Sequence, residues 1–96
     1  AADYDEVDEM KEWERSVDVI CVCTTEGDIR PLRLRLKDGA DGWIRVDIDQ
    51  ILRVDQDRRF GSESITFLCG GQVRDCRRFF EIKYAVRSHV WSLLSS

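Results

Sequence analysis

The chain has 96 residues, of which 43% are apolar and 35% charged, with a net charge of −4 at pH 7. That length supports one core, since two would each be too small to fold without disulfides or metals. No apolar run approaches the roughly 18 residues of a membrane helix, and the acidic opening AADYDEVDE does not read as a secretory leader, so the expected location is the cytoplasm.

Charge is unevenly spread. Residues 1–14 carry Asp3, Asp5, Glu6, Asp8, Glu9, Glu12 and Glu14 against Lys11, a net −6, which leaves +2 for the remainder. Tyr4, Val7, Met10 and Trp13 recur every third residue, and Asp3 with Glu6 makes a capping-box start. The spacing predicts a short amphipathic helix over 3–14; the competing reading is an acidic tail. The chain therefore divides into an acidic helix or tail, 1–15, and one β domain, 16–96.

Val17–Thr25 is β-branched and apolar on both parities, with Val17, Val19, Cys21 and Cys23 on one side and Ile20 and Val22 on the other. Such a strand wants cover on both faces. The leader helix, through Met10 and Trp13, or a second copy of the protein would supply it. Glu26-Gly27-Asp28 then turns the chain, setting Val19, Cys21 and Cys23 among Leu32, Leu34 and Leu36.

Arg30–Val54 has the cleanest period of two. Leu32, Leu34 and Leu36 alternate with Arg33, Arg35 and Lys37; after DGADG, Ile44, Val46 and Ile48 alternate with Arg45, Asp47 and Asp49. This is a hairpin with one face in a core and one in water. Two registers match its apolar faces. Pairing Leu36 with Val46 sets Arg35 on Asp47 and Arg33 on Asp49; sliding by two sets Arg35 on Arg45. Cross-strand charge favours the first.

The alternation stumbles at Asp49-Gln50-Ile51-Leu52, which reads as a bulge or one helical turn before a brief strand. Asp55–Ser62 reads as the longest polar loop. Ser64–Val73 and Cys76–Val86 form a second hairpin. A turn at Arg74-Asp75 pairs Cys69 with Phe80, Phe67 with Ile82 and Ile65 with Tyr84, whereas a turn at Gly70-Gly71 leaves those aromatics unpartnered. Burial favours the later turn, with the glycines as a bulge. A tight turn at Arg87-Ser88 then puts Trp91 beside Tyr84 and Leu93 beside Ile82. The predicted fold is all-β: a small antiparallel barrel or half-barrel of about six strands.

Candidate chemistry is sparse. Cys21 and Cys23 share a strand face about 7 Å apart, whereas structural zinc sites take wider spacings from turns. The four cysteines read first as buried free thiols, ahead of zinc ligands or disulfides. His89 reads as a surface histidine beside the last turn, and no nucleophile accompanies it. Ser62, Ser64, Ser92, Ser95 and Ser96 fall in loops, strand edges or the tail. Asp47 and Asp49 are two apart on a face that Arg33, Arg35 and Arg45 neutralise, which favours ion pairs over a divalent cation. Gly39, Gly42, Gly70 and Gly71 precede no helix, so no phosphate-binding loop is read. The expectation is a non-enzymatic protein with no cofactor or metal.

Arg33, Arg35, Lys37 and Arg45 share the predicted solvent face with Trp43, and Arg77, Arg78, Lys83 and Arg87 lie later in the chain. Arginines around an exposed aromatic are what barrels binding single-stranded nucleic acid use for phosphates and bases. Asp47, Asp49 and the net acidity weigh against that. Arg33, Arg35, Trp43 and Arg45 are therefore the candidate ligand or nucleic-acid face, read against a protein-contact face or plain solvated surface; the partner expected first is protein, a second copy included, because Val17–Thr25 is apolar on both faces, with nucleic acid second. No membrane partner is expected.

Two resemblances rest on stated residues. Val19-Ile20-Cys21, Ile29–Arg35, Val46–Leu52, Cys69, Phe80–Tyr84 and Val90-Trp91 resemble the pattern of a family of small bacterial all-β proteins, which implies no activity because none is assigned to that family. Separately, IRPLRLRLKDGADGWIRVDIDQILRV is similar to the core of Sm-like barrels of the WYL type, with Trp43-Ile44-Arg45 where that type has its name-giving tripeptide. By analogy this implies a barrel and favours the nucleic-acid option.

Overall fold

The computed structural model describes residues 14–38, 42–59 and 61–94. They form six antiparallel strands, β1 (Glu14–Cys23), β2 (Ile29–Asp38), β3 (Gly42–Arg59), β4 (Ser62–Val73), β5 (Cys76–Ala85) and β6 (Val90–Leu94). Paired in chain order, with β6 returning to β1 through Ser16↔Ser92 and Val17↔Trp91, they make a closed barrel. Closure removes the outermost edges that a half-barrel would keep. The predicted leader helix falls on residues 1–13, outside the described residues, except for its last position: Glu14 opens β1.

The interior is what period-two alternation selects. Leu34, Leu36, Val46, Phe67, Cys69, Ile82 and Trp91 are buried, and the Trp91 ring lies 5.6 Å from Phe67 and 4.8 Å from Tyr84. The β4–β5 hairpin pairs Cys69 with Phe80, Phe67 with Ile82 and Ile65 with Tyr84, as burial predicts. Its turn residues Arg74 and Asp75 both have positive φ, 48° and 67°, the geometry of a two-residue turn whose twist matches the strands. Tyr84↔Trp91 and Ile82↔Leu93 also match expectation.

Four local readings change. In the β2–β3 hairpin Leu34 pairs with Val46 and Leu36 with Ile44, so Arg35 does stand against Arg45, the register that charge disfavoured. Both registers keep the apolar faces matched. Exposed ion pairs are worth at most about 1 kcal/mol, too little to overrule packing, and the charges other than Arg45 find partners elsewhere. Arg35 turns to Asp18 on β1 and Asp49 is taken by Arg77 of β5.

The second change is at Leu32. A bulge in β2 opposite Ile20 and Cys21 sends Leu32 outward, 41% exposed, and Pro31 into the core in its place. Proline tolerates a bulge because it has no ladder N–H to lose. Third, the glycines of β4 are in register, and the extra residue is Asp49 in β3, between Ile48↔Gly71 and Gln50↔Gly70. A Cβ on Gly71 would collide with the Asp47 carbonyl, so close backbone approach requires glycine there. Leu52 is a second bulge. Fourth, the stretch Asp55–Ser62 read as a loop is strand over Asp55–Arg59: β3 runs on to Arg59 and ladders with β4 down to Arg59↔Ser62. Its charged side chains are the exposed flank of a strand.

Candidate functional site

The outer face of β1, β2 and β3 carries the predicted residues. Arg33, Arg35, Trp43 and Arg45 all line one surface hollow of about 670 Å³, together with Asp18, Val19, Ile20 and Leu34. Strand alternation puts them outward, and the observed register brings Trp43 opposite Lys37, one step along β3's outer face from Arg45. Trp43 is 54% exposed and lies under a cationic cover: the Arg35 guanidinium sits 4.5 Å from its ring centroid and the Lys37 ammonium 6.0 Å. These cation–π contacts hold a large apolar ring in one place at the surface.

Two of the arginines are already engaged. The Arg33 Nε donates to Asp47 Oδ1 at 2.6 Å, and the Arg35 Nε donates to Asp18 Oδ2 at 2.8 Å. Arg45 makes no ion pair with any described residue and points its charge to solvent beside Trp43. Ile20, 59% exposed, forms the apolar side of the hollow, so the face combines an aromatic anchor, an aliphatic neighbour and compensated charge.

Asp18 and Ile20 are the members that composition-level reading passed over. Their signal was parity: once Val19 pairs with Leu34, its neighbours Asp18 and Ile20 must lie outside, against Arg35 and Arg33. Of the two predicted covers for β1's second face, the leader lies outside the described residues, and Ile20 and Val22 remain 59% and 43% exposed among the described residues.

The later basic residues do not join this face. The Arg77 Nη1 donates to both Asp49 oxygens at 2.9 and 2.8 Å, and its Nη2 donates to Gln50. Arg77 and Arg78 border a separate hollow of about 470 Å³ at one mouth of the barrel, floored by Leu34, Leu36, Ile44, Val46 and Phe80. Lys83 is on the outer side of β5 by parity and Arg87 is in the last turn.

All four cysteines are free thiols, and only Cys69 is buried; Cys23 and Cys76 are exposed, contrary to the reading of all four as interior. Each lies at a strand end, Cys23 before the first turn and Cys76 after the fourth, where the barrel no longer covers its inner face. Burial pushes the Cys69 thiol from an ordinary 9.0 up to about 11. Cys21 is also raised, first by burial and then by Cys23 beside it. Among the described residues no three His, Cys, Asp or Glu side chains gather as a metal-binding set. His89 is exposed at φ 61°, its Nδ1 2.8 Å from the Tyr84 hydroxyl, a contact that anchors the last turn. Among the described residues no helix is long and apolar enough to cross a membrane.

No protein-family model matches the chain, and neither a curated protein nor a solved structure does.

Proposed function

We propose that this chain is a non-enzymatic protein-interaction module whose contact face is the outer surface of β1–β3, with Trp43 as anchor and Ile20, Arg35 and Arg45 around it. One observation carries the reading: Trp43 is more than half exposed yet pinned by Arg35, beside an exposed isoleucine. Tryptophan and arginine dominate the energetics of protein contacts, and an immobilised ring loses little entropy when a partner covers it. The free thiols fit a reducing compartment, which favours the cytoplasm.

Single-stranded nucleic acid is the second reading, and the similarity of Ile29–Val54 to Sm-like barrels favours it. The pairing of Arg33 with Asp47 and Arg35 with Asp18 counts against it, because phosphate would have to displace both carboxylates.

The test is comparative. A purified protein recovered on the immobilised chain should lose at least about tenfold in affinity on Trp43→Ala. Phe79→Ala, which removes an equally exposed aromatic off this face, should leave binding unchanged. Equal loss from both variants removes the proposed face. Oligonucleotide binding that weakens steeply with salt replaces the protein reading with the nucleic-acid one.

A further inference from the structure

Past Asp47, β3 has a partner on one side only. β2 last pairs with it at Arg33↔Asp47, and from Ile48 to Arg59 β3 is laddered to β4 alone. β2 leaves at its bulge, where Leu32 turns outward and Pro31 offers no N–H. Among the described residues no strand covers the edge thus exposed. Leu52 and Val54, 46% and 50% exposed, lie along it.

One tight hairpin reveals which backbone groups face out. Val73↔Cys76 closes the two-residue Arg74-Asp75 turn, so it is a hydrogen-bonded pair from which bonded and non-bonded pairs alternate along β4. Counting back along β4, Ser62, Ser64 and Thr66 bond to β3, and the residues between them face β5. The Glu63 carbonyl, on the β5 side, accepts the Val86 N–H at 3.1 Å, as that parity requires. Val54, Gln56 and Arg58 therefore occupy non-bonded positions against β4 and turn their N–H and C=O groups to the open side.

We infer that a second copy of the chain docks on this edge, β3 antiparallel to β3, about a two-fold axis through Val54. The occupant follows from the charge order Arg53-Val54-Asp55-Gln56-Asp57-Arg58-Arg59. With the axis at Val54, Arg53 faces the partner's Asp55 and Asp55 faces the partner's Arg53. An axis at Gln56 opposes Asp55 to the partner's Asp57 and Arg53 to the partner's Arg59. Axes at Arg53, Asp55, Asp57 or Arg58 each stack a charge on itself. Val54 is thus the one centre from Arg53 to Arg58 that sets no like charges across the ladder, and its backbone groups face out, as a bonded central pair needs. Val54 also lines the hollow of about 360 Å³ that it shares with Ile29, Ile51, Ile65 and Phe67 and, at its polar side, Asp28, Arg30 and Gln56, so the two Val54 side chains would meet at its rim. This hollow shares no lining residue with the one at Trp43.

Light scattering on the full chain over a range of concentrations tests the inference. The wild type should reach twice the mass of one chain. Arg53→Asp and Asp55→Arg each place like charges across the ladder, and each alone should run as a monomer with an unchanged β spectrum. Mixed one to one they restore opposite charges in the heterodimer, and the mass should double again, although the Arg53–Asp55 ion pair within each chain stays broken. Should a charge variant fail to fold, Gln56→Pro removes an edge N–H that the monomer does not use and should also abolish the dimer. A wild type that stays monomeric throughout overturns the inference and leaves the edge to another protein's strand. Single variants that dimerise like wild type, or a mixture that stays monomeric, overturn it as well.

Discussion

The two halves of β3 are built on different terms. Gly42–Asp47 is laddered to β2 throughout, reaches β4 only at Val46 and Asp47, and alternates strictly, with Val46 buried and Trp43, Arg45 and Asp47 outside. Ile48–Arg59 has β4 alone, carries bulges at Asp49 and Leu52, and from Leu52 onward is exposed at every position. Where the ladders to β2 and β4 overlap, at Val46 and Asp47, β3 is held from both sides. The half laddered to β4 alone bends at its two bulges, and its charges describe an edge, not a core.

The comparison is broken most severely at its covered end. Leu34→Ala, opposite Val46 and 1% exposed, should cost about 2–5 kcal/mol of stability by urea unfolding. Val54→Ala, on the open half, should stay within about 0.5 kcal/mol in the monomer. Equal losses at the two sites would show that the open half is packed after all.

Next comes Cys69, which pairs with Ile51 near the point where the halves meet. Its folded pKa, about 11, exceeds the ordinary 9.0, so the unfolded chain gives up this proton first. The stabilisation is complete below pH 9 and is lost as pH rises toward 11. The expected fall is about 2 kcal/mol. Cys69→Ala should flatten that part of the pH profile, and Cys69 should resist alkylation that labels Cys23 and Cys76 readily.

Gly71→Ala sharpens the contrast at the bulge itself. Its Cβ meets the rigid Asp47 carbonyl, and a loss of about 1–3 kcal/mol is expected. Gly70→Ala meets only the movable ends of Arg77 and Phe79 and should cost less. The smallest effect belongs to Arg77 and Asp49: a double-mutant cycle should return about 0.5–1 kcal/mol, since both side chains are partly solvated.

Much of this architecture was legible beforehand, and the reason differs by element. The β4–β5 hairpin was readable to the residue because its alternatives bury very different areas: moving the turn to Gly70-Gly71 strands Phe80, Ile82 and Tyr84. The β2–β3 register was not, because sliding by two keeps every leucine inside and leaves only exposed charges to discriminate. Those charges answer to Asp18 on β1 and Arg77 on β5 as much as to their hairpin neighbour. The run DQDRR read as a loop because polarity alone does not distinguish a solvated strand edge from a connection. The members of the Trp43 hollow were mostly named from alternation, which also put Ile20 on the second face of β1, but only the β1–β2 register brings Asp18 and Ile20 beside Arg35 and Arg33.

Sequence alone determined most of the side chains that turn inward, Leu32, Cys23 and Cys76 excepted, with the strand succession and the Arg74-Asp75 turn, since alternation acts over a few neighbouring residues. Tertiary structure decided the barrel's closure, the bulge at Leu32, that the break at Asp49–Leu52 is two bulges and not a helical turn, the partner of each arginine and the open flank of β3. Those depend on how close separate strands approach and which groups compete across them, and no local stretch of chain encodes that distance.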